Sequence, residues 1–295
     1  MNMSLRSWMH RVVPSTPREI VSSALRHVLG SRWKAIAFRH IDQTPLSAFS
    51  NSRPFEPELK LLPLFFSKPG IVFDVGANIG EYTYVLEKAV GPENTYAIEP
   101  VPQLISRLKG LFPKAHVLHM ALSDEAGTLT LKIPIIQGGP IWTRSTLERF
   151  VEDGETGALF QDVPVLPLDQ LCERLHISDV QLIKIDVEGH EGKVLSGASK
   201  ILQACRPVLQ VEMEQRHHTE SITEMFSWIQ GQGYSGFFFD PQTMSLRPVK
   251  DFSVGRDQDV QNLGGANYIN NFLFLNERLA QSRIESVSQI LSKSK

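Results

Sequence analysis

Residues 184–191, Lys-Ile-Asp-Val-Glu-Gly-His-Glu, contain three acidic residues and a histidine. The segment before them is short and apolar, which is typical of a buried strand. In open α/β sheets, ligands bind beyond the carboxyl ends of the strands. Asp186, Glu188 and Glu191 are therefore expected to face a ligand.

Two chemical uses of these carboxylates stay open. Hard oxygen ligands hold Mg²⁺ or Ca²⁺, and Asp186 would then be joined by Glu212 or Glu214 from the neighbouring strand end. No alternating Asp/Asn loop or histidine pair fixes such a geometry, so a divalent metal is not favoured and no metal ligand is assigned. In a simpler interpretation, Lys184 pairs with a carboxylate and Gly189 only permits the turn.

Proton transfer is the use that we favour. Glu188 or His190 would take the proton of an attacking hydroxyl group as a general base. His217 follows another strand end that should face the same crevice, and it is a third catalytic candidate, on the substrate side.

A second group of residues predicts a nucleotide-like ligand. Residues 73–80, Phe-Asp-Val-Gly-Ala-Asn-Ile-Gly, place a glycine-bearing turn between a strand and a helix. Gly76 and Gly80 do not have the GxGxxG spacing of a nicotinamide fingerprint. Asn78 tolerates a positive φ angle better than most residues. Asp74, a carboxylate within an apolar run, suits a cationic ligand and disfavours a pyrophosphate.

Glu99 follows the next apolar run, at the separation from the turn where an acidic side chain accepts both hydroxyl groups of a ribose. Together, the turn and Glu99 predict an adenosine-type ligand.

Short apolar runs alternate with helical patterns from Lys68 onward, which is typical of a largely parallel sheet. The predicted strands are Ile71–Val75, Thr95–Ile98, His116–Ala121, Val180–Asp186, Pro207–Glu212, Gly236–Asp240 and Phe272–Leu275, with Gly127–Ile133 and Val163–Leu166 in an excursion from the main sheet. The predicted helices are Tyr82–Val90, Gln103–Phe112, Asp169–Leu175, Lys193–Ala204 and Ser221–Gly231. Seven strands form the main series.

These motifs resemble the FkbM-type family of S-adenosylmethionine-dependent methyltransferases from about Val72 to Leu275. The resemblance rests on residues 73–80, 98–100, 121–124, 183–191 and 268–274. It implies an α/β class I methyltransferase (Rossmann-like) fold: a seven-stranded, mostly parallel sheet with helices on both faces and an antiparallel last strand. It also implies O-methylation of a hydroxyl group on a sugar or a natural-product-like small molecule.

The resemblance also implies roles for individual residues. Asp74, Gly76 and Gly80 would line the methionine end of S-adenosylmethionine, and Glu99 would bind the ribose. Ser123 and Asp124 would lie near the adenine. We assign Asn78 and Asp186 to the cofactor site as well.

We expect three regions: an N-terminal helical or irregular extension over residues 1–66, the methyltransferase domain over residues 67–280 and a polar C-terminal tail over residues 281–295. The first forty residues are rich in arginine and serine, and apolar residues at helical spacing run from Ile20 to Trp33. A helix packed on the domain is the preferred interpretation. A transit peptide, or peripheral contact with an anionic membrane, is an alternative.

Composition limits the other functions. The formal net charge of -2 offers no basic field for nucleic acid. The two cysteines lack metal or redox spacing, and no apolar stretch is long enough for a membrane span, so the cytoplasm is the expected compartment. A nicotinamide- or nucleotide-dependent enzyme and a non-catalytic scaffold, which binds a membrane or partner through its basic N-terminal helix, remain as rivals.

Overall fold

The computed structural model describes residues 31–44, 56–65, 70–263, 265 and 267–293. Within them, twelve strands follow in chain order: β1 Ile71–Val75, β2 Thr95–Glu99, β3 His116–His119, β4 Ala121–Leu122, β5 Gly127–Ile136, β6 Gly139–Pro140, β7 Glu155–Leu166, β8 Val180–Ile185, β9 Val208–Glu212, β10 Tyr234–Asp240, β11 Ser245–Pro248 and β12 Asn271–Asn276.

Eleven α-helices accompany them: α1 Ser31–Ala37, α2 Arg39–Gln43, α3 Glu58–Leu61, α4 Glu81–Val90, α5 Pro102–Leu111, α6 Leu168–Leu175, α7 Glu191–Ser196, α8 Ser199–Cys205, α9 Ile222–Gly231, α10 Val254–Asp257 and α11 Glu277–Lys293.

The main sheet has the order β3-β2-β1-β8-β9-β12-β10-β11. Strands β3, β2, β1, β8 and β9 are parallel to one another, and β12 is antiparallel to both of its neighbours, β9 and β10. After β1 the chain continues to β2 on one side of β1, and it later returns to β8 on the other side of β1. The strand order therefore reverses beside β1. Such a switch point opens a crevice beyond the carboxyl ends of the strands.

Alternate residues of the central strands enter two different cores. Phe73, Ile98 and Ile183 belong to one buried cluster, whereas Val72 and Leu182 belong to the other. Both faces of the sheet are therefore covered, which explains why these strands appear as continuous apolar runs in the sequence.

The predicted seven-stranded sheet is correct in its parallel core and its antiparallel last strand, but the main sheet has eight strands. The additional strand is β11, which forms an antiparallel hairpin with β10 through the pairs Phe237 with Pro248 and Asp240 with Ser245. The predicted third strand also divides: β3 pairs with β2 in the main sheet, and β4 pairs with β7 elsewhere.

The predicted excursion is a second sheet of order β4-β7-β5-β6. Its long antiparallel pair, β5 with β7, encloses the connecting residues 137–154, which include β6. This loop, here called the covering loop, turns back toward the crevice of the main sheet.

The helix predicted over Lys193–Ala204 is interrupted. The carboxylate of Asp169 accepts hydrogen bonds from the amides of Lys200 at 2.9 Å and Ile201 at 3.0 Å, so it caps a new helix, α8. At the break, a Cβ atom on Gly197 would lie 2.1 Å from the carbonyl oxygen of Ser123. The sequence pattern alone does not reveal this close backbone approach.

The residues predicted as a polar C-terminal tail instead form most of α11, whose Ala280, Val287 and Leu291 are buried. These buried residues recur at helical spacing along one face of α11. The sequence analysis missed this helix because the segment is polar on average.

The described part of the N-terminal extension also packs on the domain. Phe38 stacks on Tyr84, with ring centroids 4.8 Å apart, and Leu59 and Phe65 are buried. Most of the apolar pattern from Ile20 to Trp33 lies outside the described residues. No described helix has the length and apolar character of a membrane span.

Candidate active site

The loop between β1 and α4 brings backbone close to the crevice. The amides of Gly76 and Ala77 donate to the carbonyl oxygen of Ile98 at 2.9 and 3.0 Å. Gly76 has a φ angle of +78°, and a Cβ atom there would lie 1.8 Å from the carbonyl oxygen of Asp186. Only glycine fits where the loops after β1 and β8 meet.

Asn78 adopts a left-handed conformation with φ of 51°, as its residue type allowed. Its side-chain oxygen Oδ1 is buried without a hydrogen-bond partner among the described residues. Both Gly76 and Asn78 line the crevice, so this oxygen is an available acceptor for a ligand. Gly80 lies at the start of α4 and faces the Phe112 ring rather than the crevice.

Glu99 ends β2 and is 4% exposed. Its carboxylate accepts hydrogen bonds from the amides of Asn78 and Val101, each at 2.8 Å. Burial raises the pKa of Glu99 to about 7, although both backbone hydrogen bonds act in the opposite direction. These bonds hold the carboxylate against the crevice and leave it further lone pairs for a ligand.

Asp74 and Asp186 flank the buried Lys184. The ammonium group of Lys184 donates to Asp186 Oδ2 at 2.9 Å and lies 3.8 Å from Asp74 Oδ1, while Thr83 donates to Asp74 Oδ2 at 2.5 Å. Asp186 lines the crevice, but Asp74 is fully buried and does not. The pairing of Lys184 with a carboxylate is therefore present, and the predicted contact of Asp74 with a cofactor stays a prediction.

The turn after β8 presents Glu188 to the crevice. Glu188 has a φ angle of 51° and Gly189 one of +95°, so two successive residues are left-handed. Thr146 of the covering loop donates to the carbonyl oxygen of Glu188 at 2.6 Å, and Glu191 accepts from the amide of Gly189 at 2.9 Å. These contacts hold a backbone conformation that a non-glycine residue rarely adopts.

His190 also lines the crevice, and both of its ring nitrogens have partners. Nδ1 lies 2.7 Å from Glu148 and Nε2 lies 3.0 Å from the hydroxyl oxygen of Ser123. Ser123 donates in turn to Asp124 at 2.9 Å. Ser123 is buried and Asp124 is exposed, and neither lines the crevice, so their predicted place near an adenine stays a prediction.

His217 lies between two carboxylates. Its Nδ1 is 3.3 Å from Glu188 and its Nε2 is 3.2 Å from Glu152. The neighbouring His218 points elsewhere, with its Nε2 3.0 Å from Glu191. The structure thus brings the predicted residues Glu188 and His217 together.

Sequence reasoning missed Glu148 and Glu152. Both belong to the covering loop, where acidic residues are ordinary and carry no recognisable pattern. Only the pairing of β5 with β7 carries these side chains to the histidines, so no local signal in the sequence identifies them.

Residues of both sheets line the crevice. The apolar lining includes Ile98, Leu122, Leu131 and Trp142, and the acidic lining consists of Glu99, Asp186 and Glu188. This combination suits a ligand with an apolar ring, hydroxyl donors and a positive charge.

Electrostatics reinforce that preference for positive charge. Burial, together with Asp186, Glu214 and Glu152, raises the pKa of Glu188 well above its usual range. Burial and the same acidic surroundings raise the pKa of Glu212. A cationic ligand beside these carboxylates would relieve their mutual repulsion.

The donor set fits S-adenosylmethionine on observations of this structure. Glu99 offers a carboxylate for ribose hydroxyl groups, and Asn78 Oδ1 is an unused buried acceptor. The acidic lining residues match the sulfonium charge.

Among the described residues, one group has donor atoms close enough to hold a metal ion. Glu152, Glu188 and His217 each offer an atom, and these atoms lie within 4.8 Å of one another. The metal alternative weighed from the sequence, Asp186 with Glu212 or Glu214, is not this group.

The main sheet has the antiparallel strand β12 between β9 and β10, and an acidic residue at the end of β2 lies beside a glycine loop. These features define an S-adenosylmethionine-dependent methyltransferase of class I. A family model described as the methyltransferase FkbM domain matches residues 74–235. The chain belongs to this FkbM methyltransferase family.

The chain is similar to several known proteins. The hexuronic acid methyltransferase AglP of Haloferax volcanii is 25% identical over 193 residues, which cover 64% of this chain and 71% of the relative. The crystal structure of methyltransferase FkbM from Methylobacillus flagellatus is 16% identical, with a TM-score of 0.44, and the match covers 71% of this chain and 44% of that chain. A TehB-like SAM-dependent methyltransferase from Corynebacterium glutamicum is 13% identical, with a TM-score of 0.39, over 85% of this chain and 96% of that chain.

Proposed function

We propose that this protein transfers a methyl group from S-adenosylmethionine to a hydroxyl group of a sugar. The observation that carries the proposal is the crevice beyond β1, β2 and β8, which joins Glu99, Asn78 and the acidic turn at Glu188 in one cavity. The name of the AglP relative suggests hexuronic acids as the first acceptor class to test.

When bound, S-adenosylmethionine would supply an electrophilic methyl group on a sulfonium for an acceptor oxygen. The protein contributes chiefly by positioning, which is worth up to about 7–11 kcal/mol. Glu99 would bind the ribose, and Asp186 and Glu188 would lie beside the positive charge.

We assign the general base to Glu188, because it faces the crevice and holds a proton more readily than an ordinary carboxyl group. His190 has a partner on each nitrogen, so a role in holding the covering loop suits it better than proton abstraction. The scaffold alternative depends on a basic N-terminal helix that lies mostly outside the described residues.

Calorimetric titration with S-adenosylhomocysteine tests the cofactor site. We expect micromolar binding by the wild type, no binding of NAD, and at least a tenfold loss in Glu99→Ala, because the ribose loses its acceptor. Glu125→Ala is the matched control, since Glu125 is exposed outside the crevice. Wild-type affinity in Glu99→Ala would contradict the ribose assignment.

Acceptors are then screened for S-adenosylhomocysteine release, with glucuronic acid, galacturonic acid and the neutral hexoses in parallel. We expect release with uronic acids first. Cofactor binding without release from any sugar would contradict the acceptor class and leave the cofactor site intact.

A further inference from the structure

His217 connects two carboxylates from different parts of the chain. Glu188, from the turn after β8, faces its Nδ1, and Glu152, from the covering loop, faces its Nε2. The ring of Phe150 stacks on the imidazole, with centroids 4.4 Å apart and an interplanar angle of 15°. The imidazole is therefore fixed in position, with its two nitrogens toward opposite partners.

The two carboxylates differ in their preferred protonation state. Glu152 accepts a hydrogen bond from Arg216 at 2.7 Å and lies 3.3 Å from Arg144. Burial raises the pKa of Glu152. The contact with His217 and the charges of Arg216 and Arg144 lower this pKa by more than burial raises it, so the pKa falls to about 2. Glu188 has a raised pKa, so the group at one nitrogen stays ionised while the group at the other binds a proton readily.

We propose that Glu152 is a positioning residue that keeps the Nε2–H tautomer of His217, so that a proton taken by Glu188 passes on to Nδ1 of His217. This inference rests on the methyl transfer proposed above. The acceptor O–H bond breaks and the new O–C bond would form as the methyl C–S bond breaks, with its electron pair left on the sulfur of the departing S-adenosylhomocysteine; the proton moves first to the Glu188 carboxylate and then to Nδ1. The resulting imidazolium is stabilised by the ionised Glu152.

The geometry in the resting structure is loose but compatible with this role. Glu152 Oε1 and His217 Nε2 are both buried, and neither has a well-aligned hydrogen bond with another described residue. Catalytic hydrogen bonds are often long in unliganded enzymes and tighten in the substrate complex.

A divalent metal at Glu152, Glu188 and His217 is the competing interpretation. Two observations favour the proton path instead. The carboxylates face opposite ring nitrogens, whereas one metal ion binds a single nitrogen of an imidazole. Arg144 and Arg216 already supply positive charge to Glu152, which reduces its attraction for a second cation.

Nitrogen NMR of histidine side chains tests the tautomer directly, in the full-length protein without cofactor. We expect His217, assigned with a His217→Gln variant, to carry its proton on Nε2 at pH 8. In Glu152→Gln, the amide donates to or accepts from Nε2 equally well, so we expect the Nδ1–H tautomer to gain population. Glu148→Gln is the control, because Glu148 contacts a different imidazole, at Nδ1 of His190, and among the histidines it should alter His190 alone.

Several results would overturn the proposal. They are an Nδ1–H tautomer in the wild type, an imidazolium with both nitrogens protonated at pH 8, or an unchanged His217 in Glu152→Gln. Selective broadening of the His217 signals by micromolar MnCl₂, abolished in Glu152→Gln, would replace the proton path with a metal site. Because no cofactor is present, these outcomes are independent of whether the protein binds S-adenosylhomocysteine.

Kinetics then separate positioning from binding. With an acceptor from the uronic acid screen, we expect Glu152→Gln to lower kcat about 10²–10⁴-fold, the usual contribution of general base catalysis. The S-adenosylhomocysteine dissociation constant should not change, because Glu152 does not line the crevice. Glu152→Asp keeps the negative charge and should recover part of kcat; an unchanged kcat in Glu152→Gln would overturn the role.

Discussion

At the scale of single residues, Glu99 links the protonation state of the protein to its ligand. Its carboxylate is 4% exposed, and burial raises its pKa to about 7. Ribose hydroxyl groups donate hydrogen bonds, so they favour the ionised form over the protonated form.

This preference predicts pH-dependent cofactor binding. Below pH 7 Glu99 is mostly protonated, and binding then requires loss of that proton, so the affinity for S-adenosylhomocysteine should fall roughly tenfold for each pH unit toward pH 5. Calorimetry in buffers of different ionisation enthalpy should detect proton release. Glu99→Gln should bind weakly with a flat profile; equal wild-type affinity at pH 5.5 and 8.5 would refute the assignment.

Residue types at the ends of β2 and β8 identified side chains that line the crevice. Glu99, Asp186 and Glu188 all do so, and their predicted roles stay predictions. Glu152 could not be found in this way, because its position depends on the fold of the covering loop.

At the scale of elements, the β1–α4 loop and the turn after β8 are built against each other. A Cβ atom on Gly76 would lie 1.8 Å from the carbonyl oxygen of Asp186, and the φ angle of +78° is unfavourable for any other residue. The spacing of the two loops thus sets the width of the crevice.

Gly76→Ala should lower the free energy of unfolding by about 2–5 kcal/mol, because backbone strain and overpacking add together. Urea denaturation measures the loss. Gly127→Ala is the control, since no atom lies within 4 Å of its added Cβ atom, and it should change stability by less than about 0.5 kcal/mol. Equal stability of the two variants would show that the loops separate freely.

Elements with a clear pattern were predicted well from the sequence. β1, β8 and β12 lie within one or two residues of their expected bounds, because both faces of these strands are buried. The break before α8 was missed because it depends on Asp169, a side chain from another helix.

At the scale of the whole molecule, the ends of the chain complete the core on one face of the sheet. Phe38 and Phe65 from the N-terminal extension share a buried cluster with Val287 and Leu291 of α11. Overall polarity predicted a tail over residues 281–295, whereas the structure shows that residues up to Lys293 belong to a helix with Val287 and Leu291 buried.

Leu291→Ala should therefore lower the free energy of unfolding by about 2–5 kcal/mol, as expected for a buried leucine. The neighbouring Ile290→Ala provides the control, because Ile290 is 41% exposed and should contribute far less. Thermal and urea denaturation compare the two. Similar small losses in both variants would mean that α11 does not contribute to the core.

The division between the main sheet and the covering loop has a consequence for engineering. In the proposed function, strand ends of the main sheet would hold the donor, and the hairpin inserted between β4 and α6 would enclose the acceptor side. Hairpins exchanged between relatives should therefore redirect acceptor choice without rebuilding the donor site. The grafted hairpin must supply new partners for the carbonyl oxygen of Glu188 and for His217. The original partners, Thr146 and Glu152, are removed together with the original hairpin.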